Sequence, residues 1–439
     1  MSSGRATVVG AGLAGSLMAI ELGKMGWQVE VLERRSDPRK TGGGEGKSIN
    51  LAISTRGIHA LAEAGVADRV LERAVPMKGR MMHGLNGKLA FQPYGTKSDQ
   101  VINSVSRSEL NLALITAADS LENVHLSFEQ DITEIDVDKP SVSLSSGTDP
   151  KERTVESDML LGADGAFSMV RQALAKRERF DYSQNYLAHG YKELTIPPAE
   201  GGGFRLEPNA LHIWPRGGFM MIALPNYDGS FTCTLFWPFK GPNSFEEIST
   251  TNQVDAFFRR HFQDAVEHLP DLTEQFAKNP VGTLVTVRSG PWFFEEKVVL
   301  VGDACHAVVP FYGQGANAAF EDCTVLKECM IRSQDDRAAA FSDYFQRRKL
   351  HVDTLADLAI GNFLEMRDHV ASPVFRLKKL LGRVVHRIVP WWYLPIYSMI
   401  TFSRIPYADA VRRSRNQHRI LAALAGVALL LLVGSLIWN

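Results

Sequence analysis

The first 33 residues constrain this chain more than any other stretch. Ala6 to Val9 reads as an apolar strand that runs straight into Gly10-Ala11-Gly12-Leu13-Ala14-Gly15. A helix pattern follows to Met25, then Gly26, then a second strand from Trp27 to Leu32 that ends in Glu33. Strand, G-x-G-x-x-G, helix, strand and acid in that order form a dinucleotide-binding unit. Gly10 allows the tight turn, Gly12 lets the backbone approach a pyrophosphate, and Gly15 lets helix and strand pack closely. Glu33, 18 residues past Gly15, is placed to accept hydrogen bonds from a ribose diol. At this N-terminal position the unit suits FAD at least as well as NAD.

Two later strand ends repeat the theme. Asp158 to Leu161 runs into Gly162-Ala163-Asp164-Gly165, and Val298 to Val301 runs into Gly302-Asp303. After the second, Pro310 to Gly315 forms a turn too rich in Gly and Pro to be helical. A helix pattern from about Ala316 to Met330 follows. The stretch sets a carboxylate at a strand end and bare backbone N–H groups at a helix start, where anionic cofactor groups dock.

Other segments carry candidate side chains. Lys78 to Gly95 reads as short strands and turns, with Asn86-Gly87 as the hairpin signal. Arg80 there suits a bidentate grip on a carboxylate, with Tyr94 nearby in sequence. Ser106 opens a helix to about Ser120, with Glu109 completing a capping box. Arg107 at that start is in reach of cofactor phosphates. Ser54 starts a helix carrying Ala60 to Ala64, and the glycine run at 41–46 reads as a mobile loop. Residues 180–295 change character: β-rich segments at Tyr191–Ile196, Ala210–Trp214, Phe219–Leu224 and Phe231–Phe236 suggest an antiparallel sheet, with one helix from Phe257 to Leu269. Residues 335–415 read as mostly helical, and no internal repeat is visible.

Composition excludes some classes. Net charge is -1 over 439 residues, so no nucleic-acid footprint is expected. Four cysteines (Cys233, Cys305, Cys323, Cys329) form no CxxC pair and read as reduced thiols. The histidines lack HxH or HxxxH spacing, so no metal is expected. The apolar start is broken by glycines and reads as a strand rather than a secretory signal. Ile420 to Trp438 carries no charge and follows Arg412, Arg413, Arg415 and Arg419. That pattern predicts a transmembrane anchor at 420–438 with the body on the cytosolic side.

The three strand-end signatures together resemble the single-component FAD aromatic hydroxylases, of the p-hydroxybenzoate hydroxylase fold. The segments KGRMMH, PYGTKS, SVSRSELN, GDACHAVVPFYGQGANAAFEDC, GNFLEMRDHV and YSMITFSRIPY are similar to the branch of that family that hydroxylates kynurenine. The resemblance implies a mixed α/β (α+β) fold: a Rossmann-type FAD-binding domain (1–72, 104–178, 296–334) interrupted by an antiparallel β-sheet substrate domain (73–103, 179–295). A C-terminal helical region (335–418) would close the pocket, ahead of the terminal transmembrane helix. It implies that Arg80 and Tyr94 bind the amino-acid end of L-kynurenine and that Asn362 and Tyr397 complete the pocket. The cofactor set read on this basis is Gly10, Gly12, Leu13, Gly15, Glu33, Arg34, Ala52, Arg107, Ile132, Asp164, Asp303, Gly315, Ala316 and Asn317. Cys305 stands where small residues are common, with little consequence expected.

The implied reaction is hydroxylation of L-kynurenine to 3-hydroxykynurenine with NADPH and O₂ through a flavin C4a-hydroperoxide, a step of tryptophan degradation. The flavin would supply the chemistry, so no side chain is assigned as catalytic. His306 beside Asp303 reads as a structural histidine near the flavin. NADPH would dock transiently, since no second G-x-G-x-x-G in strand–helix context exists. Two alternatives are a same-fold hydroxylase or epoxidase acting on a lipophilic aromatic, against which Arg80 speaks, and a catalytically silent membrane flavoprotein. The membrane would be the mitochondrial outer membrane in a eukaryote or the inner membrane in a bacterium.

Overall fold

Strand Arg5–Val9 sits inside a six-stranded sheet because its side chains are apolar on both faces: Ala6, Val8 and Val9 are all buried. It pairs in parallel with Gln28–Leu32 on one side and Met159–Gly162 on the other. Val124–Ser127 and Val298–Leu300 extend the sheet in parallel, and Phe293–Phe294 closes one edge antiparallel. Of the later signature strands, Met159–Gly162 thus lies beside the first and Val298–Leu300 beside Met159–Gly162, and their carboxyl ends share one edge with Gly10. The structure, a computed structural model, describes residues 4–40, 50–95, 97, 99–146, 149–365, 367, 382 and 384–438. The glycine run at 41–46, the turn at 147–148 and much of the expected helical region (366, 368–381, 383) lie outside the described residues.

Gly15 shows why a glycine is required. A Cβ there would stand 1.9 Å from the Gly10 carbonyl oxygen, so no side chain fits where helix Leu13–Lys24 meets the strand. Gly10 itself has φ +101°. Short sheets flank this unit: Asn50–Ile53, Ile102–Ser106 and Val75–Met77 form one, and the three strands between Asp131 and Glu156 another.

The β-rich stretch builds a seven-stranded sheet. Its order runs Val281–Gly290, Asp181–Ile196, Phe231–Pro238, Met220–Pro225, Ala210–Pro215, Gly79–His83, Leu89–Pro93. All pairs are antiparallel except Ala210–Pro215 against Gly79–His83, which is parallel and sets Leu211 opposite Arg80. Strand alternation sorts the two faces. Trp214, Leu235 and Trp237 pack on one face with Phe257, Phe258 and Phe262 from the covering helices. Arg80, Leu211, Ile222 and Phe236 face a cavity on the other.

Several expected boundaries are corrected. The helix read from Phe257 begins at Thr251, because Thr250 and Gln253 form a capping box, and it breaks at Phe262 before a separate short helix, Gln263–Val266. At Ser106 the box is half formed: Ser106 Oγ accepts from the Glu109 N–H at 3.4 Å, while the Glu109 carboxylate turns to Arg73 at 2.9 Å. The Gly/Pro-rich turn holds single 3₁₀ turns at Gly302–Ala304 and Pro310–Tyr312. The helix after it spans Gly315–Ser333, and Arg337–Leu364 follows as a long helix.

The chain end is one continuous helix, Tyr407–Trp438, which joins the body to the expected anchor without a break. Among the described residues no helix is long and apolar enough to cross a membrane. The expectation that 420–438 spans a bilayer is therefore not met there. The side chains at 428, 429, 432 and 434–438, which the sequence reading counted toward the span, lie outside the described residues.

Candidate active site

One cavity of about 770 Å³ runs from the Glu33 end of the six-stranded sheet to the inner face of the seven-stranded one. That volume is ample for a cofactor-sized ligand. At the first end it is lined by Gly10, Gly12, Leu13, Glu33, Arg34 and Ile132; in the middle by Arg107, Asp164, Asp303, Gly315 and Ala316 with Ala52; at the far end by Arg80, Tyr94 and Tyr397. Twelve of the fourteen expected cofactor residues and three of the four expected substrate residues therefore share one surface.

The three that do not line it have other tasks. Gly15 is a packing residue, as its missing Cβ shows. Asn317 is fully buried, and its side chain is spent on the protein. Its Oδ1 accepts from the Ser54 and Gly57 N–H groups at 2.9 and 3.3 Å, and its Nδ2 donates to the carbonyls of Ala52 (2.8 Å) and Gly313 (3.0 Å). It fixes the start of helix Gly315–Ser333 against strand Asn50–Ile53 and helix Thr55–Glu63. Asn362 is buried behind Phe311 and donates Nδ2 to that residue's carbonyl at 2.6 Å. It shapes the wall from one layer back.

The residues fit an FAD on three counts. Two helix N-termini, at Gly12–Leu13 and Gln314–Gly315, meet the cavity with no side-chain cap and no acid in the first turn. Uncapped N–H groups and two aligned helix dipoles favour a pyrophosphate. A Cβ on Gly12 would meet no protein atom within 4 Å, so the room beside it belongs to a ligand. The Asp164 Oδ1 is buried with no partner among the described residues, while its Oδ2 accepts from the Met169 N–H at 2.6 Å. Glu33 accepts from the Ala11 N–H at 2.9 Å and pairs with Arg35 at 2.8 Å. Burial opposes its charge, yet Arg35 holds its carboxyl below the usual range. Asp303 is exposed and lines the cavity; the protein packed around it pushes its carboxyl up, and Arg107 and His306 pull against that.

At the far end the chemistry changes. The Arg80 guanidinium lies 4.9 Å from the Tyr397 ring centre and 5.7 Å from that of Tyr94. The two rings stack at 5.5 Å and 15°. Its Nε is buried with no partner among the described residues. Burial works against its charge, but Tyr397, Tyr94 and Glu365 more than offset it, so Arg80 stays protonated. Burial drives the Tyr94 and Tyr312 phenols far above their ordinary value, so both keep their protons at neutral pH. Around this clamp the walls are apolar: Leu211, Met220, Ile222, Leu224 and Phe236.

Sequence reasoning missed Tyr312, Thr234 and Glu365. Thr234 lines the cavity from the sheet, and its hydroxyl is buried without a partner among the described residues. Strand alternation with Phe236 was the signal available for it. Glu365 follows the long helix and acts on Arg80 across the fold, which no local pattern reveals. His306, read as a structural histidine, has its Nε2 at 2.5 Å from Asp322 Oδ2. The fold also brings Cys305, His306 and Asp322 within ligand distance of one another, a grouping that spacing in sequence did not suggest. Both Asp322 oxygens are engaged there, Oδ2 by His306 and Oδ1 by Arg348 Nε at 2.7 Å.

A sequence model of the FAD binding domain family matches residues 5–359. A kynurenine 3-monooxygenase of Salinispora tropica is 46% identical over 427 residues, covering 97% of this chain and 94% of that protein. One from Dictyostelium discoideum is 44% identical, covering 94% of this chain and 92% of that one. Among solved structures, the tetrameric form of 2-methyl-3-hydroxypyridine-5-carboxylic acid oxygenase superposes with a TM-score of 0.69 at 22% identity, over 85% of this chain and 95% of that one. Pseudomonas aeruginosa PqsL in complex with 2-aminobenzoylacetate gives 0.66 at 20% identity, over 84% and 97%. These two share the fold.

Proposed function

Since the chain belongs to the kynurenine 3-monooxygenase family, we propose that its cavity binds L-kynurenine by the amino-acid end at Arg80 and presents the aromatic ring for hydroxylation. The chain is an FAD-dependent monooxygenase. Bound FAD supplies the redox chemistry, taking electrons from NADPH and activating O₂. Gly12, Arg107, Asp164, Asp303 and Ala316, which line the cavity, would hold it.

The observation that carries the substrate reading is the buried Arg80 Nε, without a partner among the described residues, in a chamber otherwise lined largely by apolar and aromatic side chains. A guanidinium N–H shut away from water without an acceptor is costly, and a substrate carboxylate removes that cost. Tyr94, which keeps its proton, donates a second hydrogen bond to the same group. Tyr397 stacks against both and narrows the chamber. Leu211, Ile222, Leu224 and Phe236 give the ring an apolar bed and keep water from the reacting carbon. An all-lipophilic substrate would leave Arg80 unanswered, so the amino-acid aromatic is the better fit. Incubation with L-kynurenine, NADPH and air, followed by mass spectrometry, tests this: the product gains one oxygen atom. A flavin-loaded chain that turns over no kynurenine sinks it.

We assign 1–72, 104–178 and 296–334 to cofactor binding and 73–103 with 179–295 to the substrate sheet. We also propose that the chain end meets lipid. The support is an apolar helix that exposes Leu424, Val427, Leu430 and Leu431 beyond a basic stretch at Arg412–Arg419.

A further inference from the structure

Arg56 does not line the cavity, yet its fully buried side chain touches the element that closes it. It stands in helix Thr55–Glu63 of the cofactor side. Its Nη1 donates to the carbonyls of Ile400 (3.3 Å) and Ser403, and its Nη2 to the carbonyl of Ile405. Its Cζ lies 4.3 Å from the Tyr407 ring centre. Ile400 belongs to the short helix Ile396–Thr401, whose last carbonyls have no helical partner of their own. Local bonds cover part of that end: the Phe402 N–H reaches the Ser398 carbonyl at 2.9 Å, and Ser403 Oγ reaches Met399. The remainder is gripped from the far side of the chain by one guanidinium. Only Arg offers enough donors in a fixed fork for three carbonyls and a carboxylate at once.

Tyr397 sits on that same short helix, one turn before Ile400. Its ring touches Tyr94, Tyr312 and Arg80. A slide of the 400–405 turn is a displacement of Tyr397 from the clamp. Arg56 is in turn held in place. Its Nε meets Glu321 Oε2 at 3.3 Å, and the same oxygen receives Arg348 Nη1 at 2.5 Å. Arg348 continues to Asp322, and Asp322 to His306 and to the Gly302 N–H at 3.2 Å. Two arginines, Arg56 and Arg348, face two carboxylates, Glu321 and Asp322, along this chain of contacts. It runs from the strand end that bears Asp303 to the helix that bears Tyr397.

We propose that Arg56 is a positioning residue for substrate binding: from outside the cavity it locks the 400–405 turn and thereby sets Tyr397 against Arg80. The role rests on the kynurenine reading of that cavity. Glu321 keeps Arg348 when Arg56 is replaced, so the core that holds the flavin survives the change. Arg56→Lys keeps the charge but reaches fewer carbonyls.

A double-mutant cycle on kynurenine affinity tests it. Kynurenine is titrated into the oxidised, flavin-loaded chain, and Kd is read from the flavin spectrum for wild type, Arg56→Lys, Tyr397→Phe and the double variant. Melting temperature and flavin content are recorded for each. Arg56→Lys should weaken kynurenine about tenfold with flavin content unchanged, and Tyr397→Phe should cost several-fold less in the Arg56→Lys background than in wild type. Additive effects, or an unchanged Kd, overturn the role. Should Arg56→Lys emerge without flavin, Ser403→Ala, which removes the turn's own brace, takes its place in the same cycle with the same criteria. A wild-type chain that takes up flavin but no kynurenine overturns the substrate reading and the inference together; a wild type that binds, with additive variants, overturns the inference alone.

Discussion

Arg80 and Tyr397 come from opposite ends of the chain and meet face on, the guanidinium 4.9 Å from the ring centre. The pair makes a half-buried cation bounded by aromatic rings, whose buried Nε has no partner among the described residues. Hydrogen bonds between charged groups contribute roughly 1.5–3 kcal/mol each. Arg80→Ala should therefore raise the KM for kynurenine about a hundredfold while the flavin stays bound. Tyr94→Phe, which removes one neutral donor, should raise it several-fold. Steady-state kinetics decide; an unchanged KM in Arg80→Ala removes the carboxylate assignment.

Gly12 and Gly15 lie in one motif but should fail differently. A Cβ at Gly15 collides with the Gly10 carbonyl at 1.9 Å, so Gly15→Ala must shift backbone and should destabilise the apoprotein as well as lose flavin. A Cβ at Gly12 meets nothing within 4 Å, so Gly12→Ala should leave the apoprotein melting temperature in place and weaken FAD tenfold or more. Calorimetry of the apo forms and flavin-to-protein ratios check both. Equal losses of stability would show that Gly12, too, serves packing alone.

Behind the substrate sheet, Asp264 joins His83 at 2.6 Å and Trp214 at 3.0 Å, and His83 joins His212 at 2.8 Å. Burial pushes His212 down to about 4. An unfolded histidine titrates near about 6.5, so the unfolded state binds the extra proton first. This stability is present above about pH 6.5 and is lost as pH falls toward about 4, on the order of 3 kcal/mol in all. Asp264, held below its usual range by His83 and Trp214 against its burial, adds loss in the same direction at lower pH. Melting temperatures from pH 7.5 to 4.5 should fall for the wild type and fall less steeply for His212→Asn. Parallel curves would remove His212 as the cause.

The last turns of helix Tyr407–Trp438 expose Leu424, Val427, Leu430 and Leu431 beyond four arginines of the same helix. The full chain should sediment with the membrane pellet, and a chain ending at Arg419 should leave it while keeping its flavin and its kinetics. Identical fractionation of the two forms would take lipid contact away from this helix.

The sequence by itself determined what depends on neighbours in the chain. The G-x-G-x-x-G between two apolar strands required a nucleotide-binding unit, because a tight turn and a close helix leave no room for side chains. Alternation and turn residues marked the β-rich insertion for the same local reason. Where helix 251–261 begins was readable in principle from Thr250 and Gln253. Tertiary structure alone decided which polar groups stay unspent. Asn317 and Asn362 look like ligand contacts in sequence, but packing commits Asn317 to four backbone groups and Asn362 to the Phe311 carbonyl. Arg56 looks like an ordinary helix residue, yet it grips carbonyls more than three hundred positions away. Contacts at that separation follow from how sheets and helices stack, and short-range patterning carries no record of them.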